Sequence, residues 1–175
     1  MAKDYNTFTD VSTGDVYTAA THNLILENVE NYRVPPMCRV KQTSGQTVND
    51  ATPAIVTFGA EDFDTDAMHD NATNNSRVTI KTAGVYLIIA SAAYTAGVSD
   101  DASMSLLKNG AGGIGGYVSW GPANTGAGMT STLLIELAVN DYIELSLYQN
   151  NSANTARTTS TTQTYLMAVW QGQVS

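Results

Sequence analysis

From Met37 to the C-terminus, apolar and polar residues alternate with a period of two, in short runs separated mostly by Gly, Asn, Asp or Ser clusters. That period belongs to a β-strand with one buried face, because successive side chains point to opposite sides of a sheet. The clearest case is Tyr142-Ile-Glu-Leu-Ser-Leu-Tyr148, which sends Ile143, Leu145 and Leu147 one way and Tyr142, Glu144, Ser146 and Tyr148 the other. The same reading predicts strands at residues 37–42, 54–58, 77–81, 85–94, 103–108, 117–120, 131–139, 142–149 and 164–171. Thr, Ser and Asn supply 50 of the 175 residues, a load that suits strands and turns and disfavours helix interiors. The expected class is an all-β sandwich with one core, which a chain of this length is large enough to bury.

Two runs break the simple alternation. Val85-Tyr-Leu-Ile-Ile-Ala-Ser-Ala-Ala-Tyr94 is apolar at both odd and even positions, and Tyr165-Leu-Met-Ala-Val-Trp170 is similar. A sandwich covers only one face of a strand, so the second face needs another partner. Symmetric self-association buries such a surface most economically; the alternative is cover from the N-terminal helix or a long loop.

Residues 1–36 have a different texture. Thr18 fits an N-cap, and Ala20, Leu24, Ile25, Val29 and Tyr32 then recur at helical spacing until Pro35-Pro36 stops the helix, which predicts one amphipathic helix over residues 19–32. A helix this short is marginal alone in water and must lie on something. Upstream, residues 5–8 and 11–14 read as an extended arm with a turn.

Charge narrows the partners. Eight Lys and Arg against 16 Asp and Glu leave a net charge of −8, which removes the clustered cations that nucleic acid or an anionic membrane surface requires. Nowhere do about 18 apolar residues run consecutively, so no membrane span is expected. The segment Met1-Ala-Lys-Asp-Tyr-Asn-Thr-Phe8 lacks an apolar signal core, and synthesis in a cytoplasm without a signal peptide is the expectation. Cys38 stands alone, so packing or partner chains must hold the fold without an intrachain disulfide.

Few residues combine into chemistry. Gly110-Ala-Gly112-Gly-Ile-Gly115 has the spacing of a dinucleotide fingerprint, but Gly116-Tyr-Val-Ser-Trp-Gly-Pro122 cannot open the helix that a pyrophosphate needs. Asp62, Asp64 and Asp66, beside His69 and Asp70, offer alternate carboxylates to a hard cation such as calcium, against the simpler reading of a solvated loop with Asx-turns. His69 beside Asp70 is one conceivable catalytic pair, and Glu136 with Glu144 on adjacent strands would be another. With no nucleophile elbow, phosphate loop or zinc-type pair in the sequence, the reading is non-enzymatic, with no required cofactor. Lys108-Asn109-Gly110 between two apolar runs predicts a hairpin turn of type I′. Residues 110–128 and 150–163 read as loops, and Tyr117 and Trp120 in or beside the first offer rings to a glycan.

The order of pieces resembles a known family. Pro53-Ala-Ile-Val-Thr-Phe58, Phe63-Asp64, Arg77-Val-Thr-Ile80, Ala83-Gly-Val-Tyr86, Leu106-Leu-Lys-Asn-Gly110, residues 133–137 and Asn140-Asp-Tyr-Ile-Glu-Leu145 together resemble the globular heads of complement C1q and the tumour necrosis factor superfamily, over residues 37–174. The resemblance implies a jelly-roll β-sandwich of about ten strands, and a homotrimer held through aliphatic and aromatic strand faces, here Tyr86, Ile88, Tyr94, Leu166 and Trp170. The family's usual Gly before the turn aspartate is Asn140 here, and no Gly-X-Y repeat occurs. The arm is similar to N-terminal segments of small virion proteins of tailed bacteriophages, on Tyr5-Asn-Thr-Phe8-Thr, residues 16–24 and residues 32–39.

The combined expectation has two parts. Residues 1–36 attach to other virion proteins, through Tyr5, Phe8, Leu24, Ile25, Val29 and Tyr32. Residues 37–175 form a trimeric head whose loops, with Tyr117, Trp120, Asn124 and Arg157, meet a host-surface glycan or protein. Decoration of a capsid and a free-standing carbohydrate-binding module are the rival readings.

Overall fold

A computed structural model describes residues 12–96, 101–115, 117–120, 128–151 and 153–173. Among the described residues one helix, α1 (Ala19–Arg33), precedes twelve strands: β1 (Met37–Lys41), β2 (Thr47–Val48), β3 (Ala54–Ile55), β4 (Ala60–Asp64), β5 (Val78–Thr79), β6 (Gly84–Ala93), β7 (Asp101–Lys108), β8 (Val118–Trp120), β9 (Gly128–Leu137), β10 (Tyr142–Asn150), β11 (Arg157–Thr158) and β12 (Tyr165–Gly172). The strands make two five-stranded sheets. The first runs β4-β1-β12-β6-β9; the second runs β3-β10-β7-β8, with β5 also on β10. A small pair, β2 with β11, stands apart from both. All pairings are antiparallel.

The core lies between the sheets and follows from side-chain parity. The first sheet sends in Cys38 and Val40 from β1, Tyr86, Ile88 and Ala90 from β6, and Leu166, Ala168 and Trp170 from β12. The second answers with Ala102, Met104 and Leu106 from β7 and Ile143, Leu145 and Leu147 from β10. Each large aliphatic or aromatic residue buried this way contributes about 1.5–3 kcal/mol. Val56, Phe58, Met68 and Ile80 from the connecting segments, with Val78 of β5, close the layer.

Three features match the sequence reading closely. Thr18 caps α1, its hydroxyl accepting from the Thr21 N–H at 3.2 Å. Asn109 and Gly110 both take positive φ, 55° and 73°, as a type I′ turn requires. The three glycines of the dinucleotide-like spacing belong to that turn and the segment after it, and among the described residues no helix follows. Three strands were not foreseen. Residues 60–64 look like an acidic loop in sequence, yet β4 is an edge strand on β1, and its charges suit an edge exposed to water. The two-residue strands β2 and β11 are too short for any periodicity.

The turn after β9 is fastened by one carboxylate. Asp141 accepts from Lys108 Nζ at 2.7 Å, Asn109 Nδ2 at 2.7 Å and the Ala138 N–H at 2.8 Å. Burial works against its charge, but the bonds from Lys108, Asn109 and Ala138 outweigh it and hold the carboxyl below its ordinary range. A depressed folded-state pKa stabilises above the unfolded value, about pH 4, and that contribution fades as pH falls through the folded value. Asp141→Asn is therefore expected to lower the urea midpoint at pH 6 and to differ much less from the parent at pH 2. An equal difference at both pH values would contradict this role.

Candidate interaction surface

The surface that the core leaves over is the outer face of the first sheet. Along β6, Val85, Leu87, Ile89 and Ser91 point outward and remain partly exposed, and Tyr165, Met167 and Val169 do so on β12. Cross-strand register turns these into rows. Met37, Val169, Leu87 and Leu134 lie side by side across β1, β12, β6 and β9; Arg39, Met167, Ile89 and Thr132 form the next row; Lys41, Tyr165, Ser91 and Thr130 form a third. Leu134, at the β9 end of the first row, is 62 % exposed. An apolar strip this continuous on a sheet face marks an interaction site.

Charge sits at the two margins of the face: Glu136 is exposed on β9 beside Val85, and an ion cluster lies at the β4 and β1 side. Asp62 on β4 pairs with both Arg39, at 2.7 Å, and Lys41. These contacts hold the Asp62 carboxyl below its ordinary range, with the Lys41 hydrogen bond the largest cause. The Arg39 guanidinium also lies over the Tyr165 ring, 4.4 Å from its centroid. Beside them opens a cleft of about 610 Å³, lined by Arg39, Lys41, Asp62, Thr162 and Tyr165 among others.

The residues expected to make the trimer contact do not lie on this face. Tyr86, Ile88, Tyr94, Leu166 and Trp170 all lie inside the chain's own core, at most 3 % exposed. The Tyr86 hydroxyl donates to Thr82 O at 2.6 Å, the Tyr94 hydroxyl to Tyr148 O at 3.1 Å, and Trp170 Nε1 to Ala83 O at 3.1 Å. The doubly apolar strands do have two apolar faces, but parity gives the aromatic one to the core and leaves the odd-numbered aliphatic one outside.

The acidic segment is also corrected. Asp62 faces Arg39 and Lys41; Asp64 accepts from the backbone N–H groups of Asp66 and His69 at 3.1 and 2.9 Å; Asp66 is buried and accepts from the Thr82 hydroxyl at 2.8 Å. The three carboxylates thus turn to different neighbours. Among the described residues no group of three or more His, Cys, Asp or Glu is placed to hold a metal ion. His69 does not engage Asp70: its ring, buried against Phe58, meets Glu61 Oε1 at 3.0 Å and Asn75 O at 3.2 Å. Asp70 instead closes an Asx-turn on the Ala72 and Thr73 N–H groups, which depress its pKa. Glu136 and Glu144 lie on different sheets, the latter bound to Ser76 and Arg77 at 2.7 and 3.2 Å. Burial, with the charges of Asp64 and Glu61, pushes the Cys38 thiol up, away from the reactive thiolate.

The expected glycan residues are scattered. Tyr117 is 64 % exposed just before β8, Trp120 ends β8 opposite Ala102, and Arg157 pairs with Val48 in the small sheet. Asn124 lies outside the described residues, as do Tyr5 and Phe8 of the arm. Of the helix residues, Leu24, Ile25, Val29 and Tyr32 are exposed, and the Tyr32 ring rests on Trp170 with centroids 5.5 Å apart.

No protein-family model matches the sequence, and no curated protein matches it. Solved structures do match the fold. The globular domain of zebrafish complement 1qA superposes with a TM-score of 0.56 at 13 % identity, covering 79 % of this chain and 99 % of that one. Murine APRIL at pH 5.0 gives 0.60 at 12 %, covering 78 % and 98 %. Eiger TNF from S. frugiperda gives 0.53 at 15 %, covering 80 % and 94 %. The fold is therefore a C1q/TNF-like β-sandwich preceded by one helix, in agreement with the resemblance read from residues 37–174.

Proposed function

We propose that the chain is a non-enzymatic binding module that works as a homotrimer, packed through the outer face of the sheet β4-β1-β12-β6-β9. The observation that carries this reading is the apolar row Met37, Val169, Leu87 and Leu134, with Met167 and Ile89 below it. Water-exposed aliphatic rows on a strand surface are an aggregation hazard unless a defined partner covers them. Cations at one margin, Arg39 and Lys41, and the Glu136 carboxylate at the other favour a head-to-tail ring, in which one side of the face meets the other side in the next copy, over a two-fold contact that would set Arg39 and Lys41 near their own duplicates.

The module belongs, in this reading, to the virion of a tailed bacteriophage. Residues 1–36 attach it to other virion proteins, and the sandwich projects outward for host-surface adhesion at the tail. The likeness of the arm to small virion proteins supports this, and so does a net charge of −8, which keeps dense arrays of copies apart in solution. Antibodies raised against the chain should label intact particles from a phage that encodes it, concentrated on the tail. Labelling over the capsid would move the module to decoration, and particles free of the chain would contradict the virion assignment.

A further inference from the structure

The helix α1 has no buried residue, although it joins the sandwich through a firmly held connection. The Thr65 hydroxyl donates to Pro35 O at 2.7 Å and accepts from the Met37 N–H at 2.9 Å, and the Trp170 N–H donates to Pro36 O at 2.9 Å. Tyr32 on Trp170 completes the joint. The helix is thus continuous with β1, whose outer face, Met37 and Arg39, belongs to the surface described above.

Four of its exposed residues have a particular spacing, with Leu24 and Leu26 also exposed but off that line. His22, Ile25, Val29 and Tyr32 are separated by three, four and three residues, and on a regular helix they fall within an arc of about 80°. That is the a/d seam of a coiled coil, with β-branched residues at both kinds of position, Ile25 and Val29, a choice that shifts association away from dimers toward trimers and tetramers. Ile25 is 37 % exposed and Val29 55 % exposed, so the middle of the seam faces outward among the described residues, while His22 meets Tyr17 and Tyr32 meets Trp170 at its two ends. Glu27 and Glu30 lie away from the seam, and Arg33 flanks it with its guanidinium bound to Glu30 at 2.8 Å, so copies can meet along the seam with that cation paired.

We infer that the partner of this seam is the same helix from the two sister chains, so that three α1 helices form a short bundle standing on the sandwich trimer. The inference rests on the trimer proposed above, which brings the three β1 strands, and the helices joined to them, to one end of a common axis. At 15 residues the bundle is too short to assemble alone and depends on the sandwiches to concentrate the helices. The seam residues Ile25, Val29 and Tyr32 are then used in assembly, and virion attachment falls to the residues before the helix.

Cysteine cross-linking in the full chain tests this. Ile25→Cys, Val29→Cys and, on the opposite side, Asn23→Cys are treated with a short bis-maleimide, with the parent chain as control because its Cys38 is fully buried. The seam variants should give interchain product at least about tenfold above Asn23→Cys, in a species whose native mass is three chains. A three-chain mass with no excess at Ile25 or Val29 overturns the bundle and leaves the sandwich trimer standing. A single-chain mass overturns both.

Discussion

Leu87→Glu should turn the proposed trimer into folded single chains. Leu87 sits in the middle of the outer row, between Val169 and Leu134, and its side chain adds nothing to the sandwich core. In a lone chain a carboxylate there points into water and costs the fold about 1 kcal/mol or less. In the trimer it is desolvated without a partner, once in every protomer, at several kcal/mol each. Light scattering at micromolar concentration should show the mass fall to that of one chain, while far-ultraviolet circular dichroism keeps the β signal. A variant that retains the parent's mass would remove the row from the interface. Ile88→Glu, one position along, reaches the core instead and should unfold the chain.

The second large effect is expected at Gly84, where β6 begins. Its φ is +148°, and a β-carbon would collide with Trp170 Nε1 and with Gly172 O. Both contacts belong to β12, where the register shifts between Trp170 and Gly172 so that the strand can bend around the indole. Nothing flexible can move aside, because the indole N–H is bound to Ala83 O at 3.1 Å and Gly172 is backbone of a paired strand. Positive φ and overpacking together should make Gly84→Ala cost about 3 kcal/mol or more in urea unfolding. Trp170→Leu alone loses a buried ring, but in that background the added cost of the alanine should shrink, because half of the collision is gone. A cost under about 1 kcal/mol would mean that β12 yields at its bulge.

Much of the sandwich was legible because its signals are local. Ile143, Leu145 and Leu147 alternate with polar residues, so the core face of β10 could be read directly, and the Asn109-Gly110 turn and Thr18 cap each rest on a few adjacent residues. The orientation of β6 was not legible in the same way. With Val85, Leu87 and Ile89 on one parity and Tyr86, Ile88 and Ala90 on the other, hydrophobicity does not choose, and the aromatic residues drew the assignment to the wrong face. The deciding signal sits on a different strand: Arg39 and Lys41 alternate with Cys38 and Val40 in β1, which marks the odd positions as outward. That mark reaches β6 only through the register Met37 with Val169 with Leu87, which is long-range information. The acidic segment failed for a related reason. Asp62, Asp64 and Asp66 look convergent in sequence, but only the fold reveals that Arg39, Lys41 and Thr82 stand next to them.

The account rests on the outward aliphatic rows being covered by the same sheet face of sister chains. Sedimentation equilibrium of the full chain across low-micromolar concentrations tests this most directly. The expected mass is three times the 18.6 kDa of one chain, independent of concentration. A mass of one chain, with the rows left in water, would contradict it.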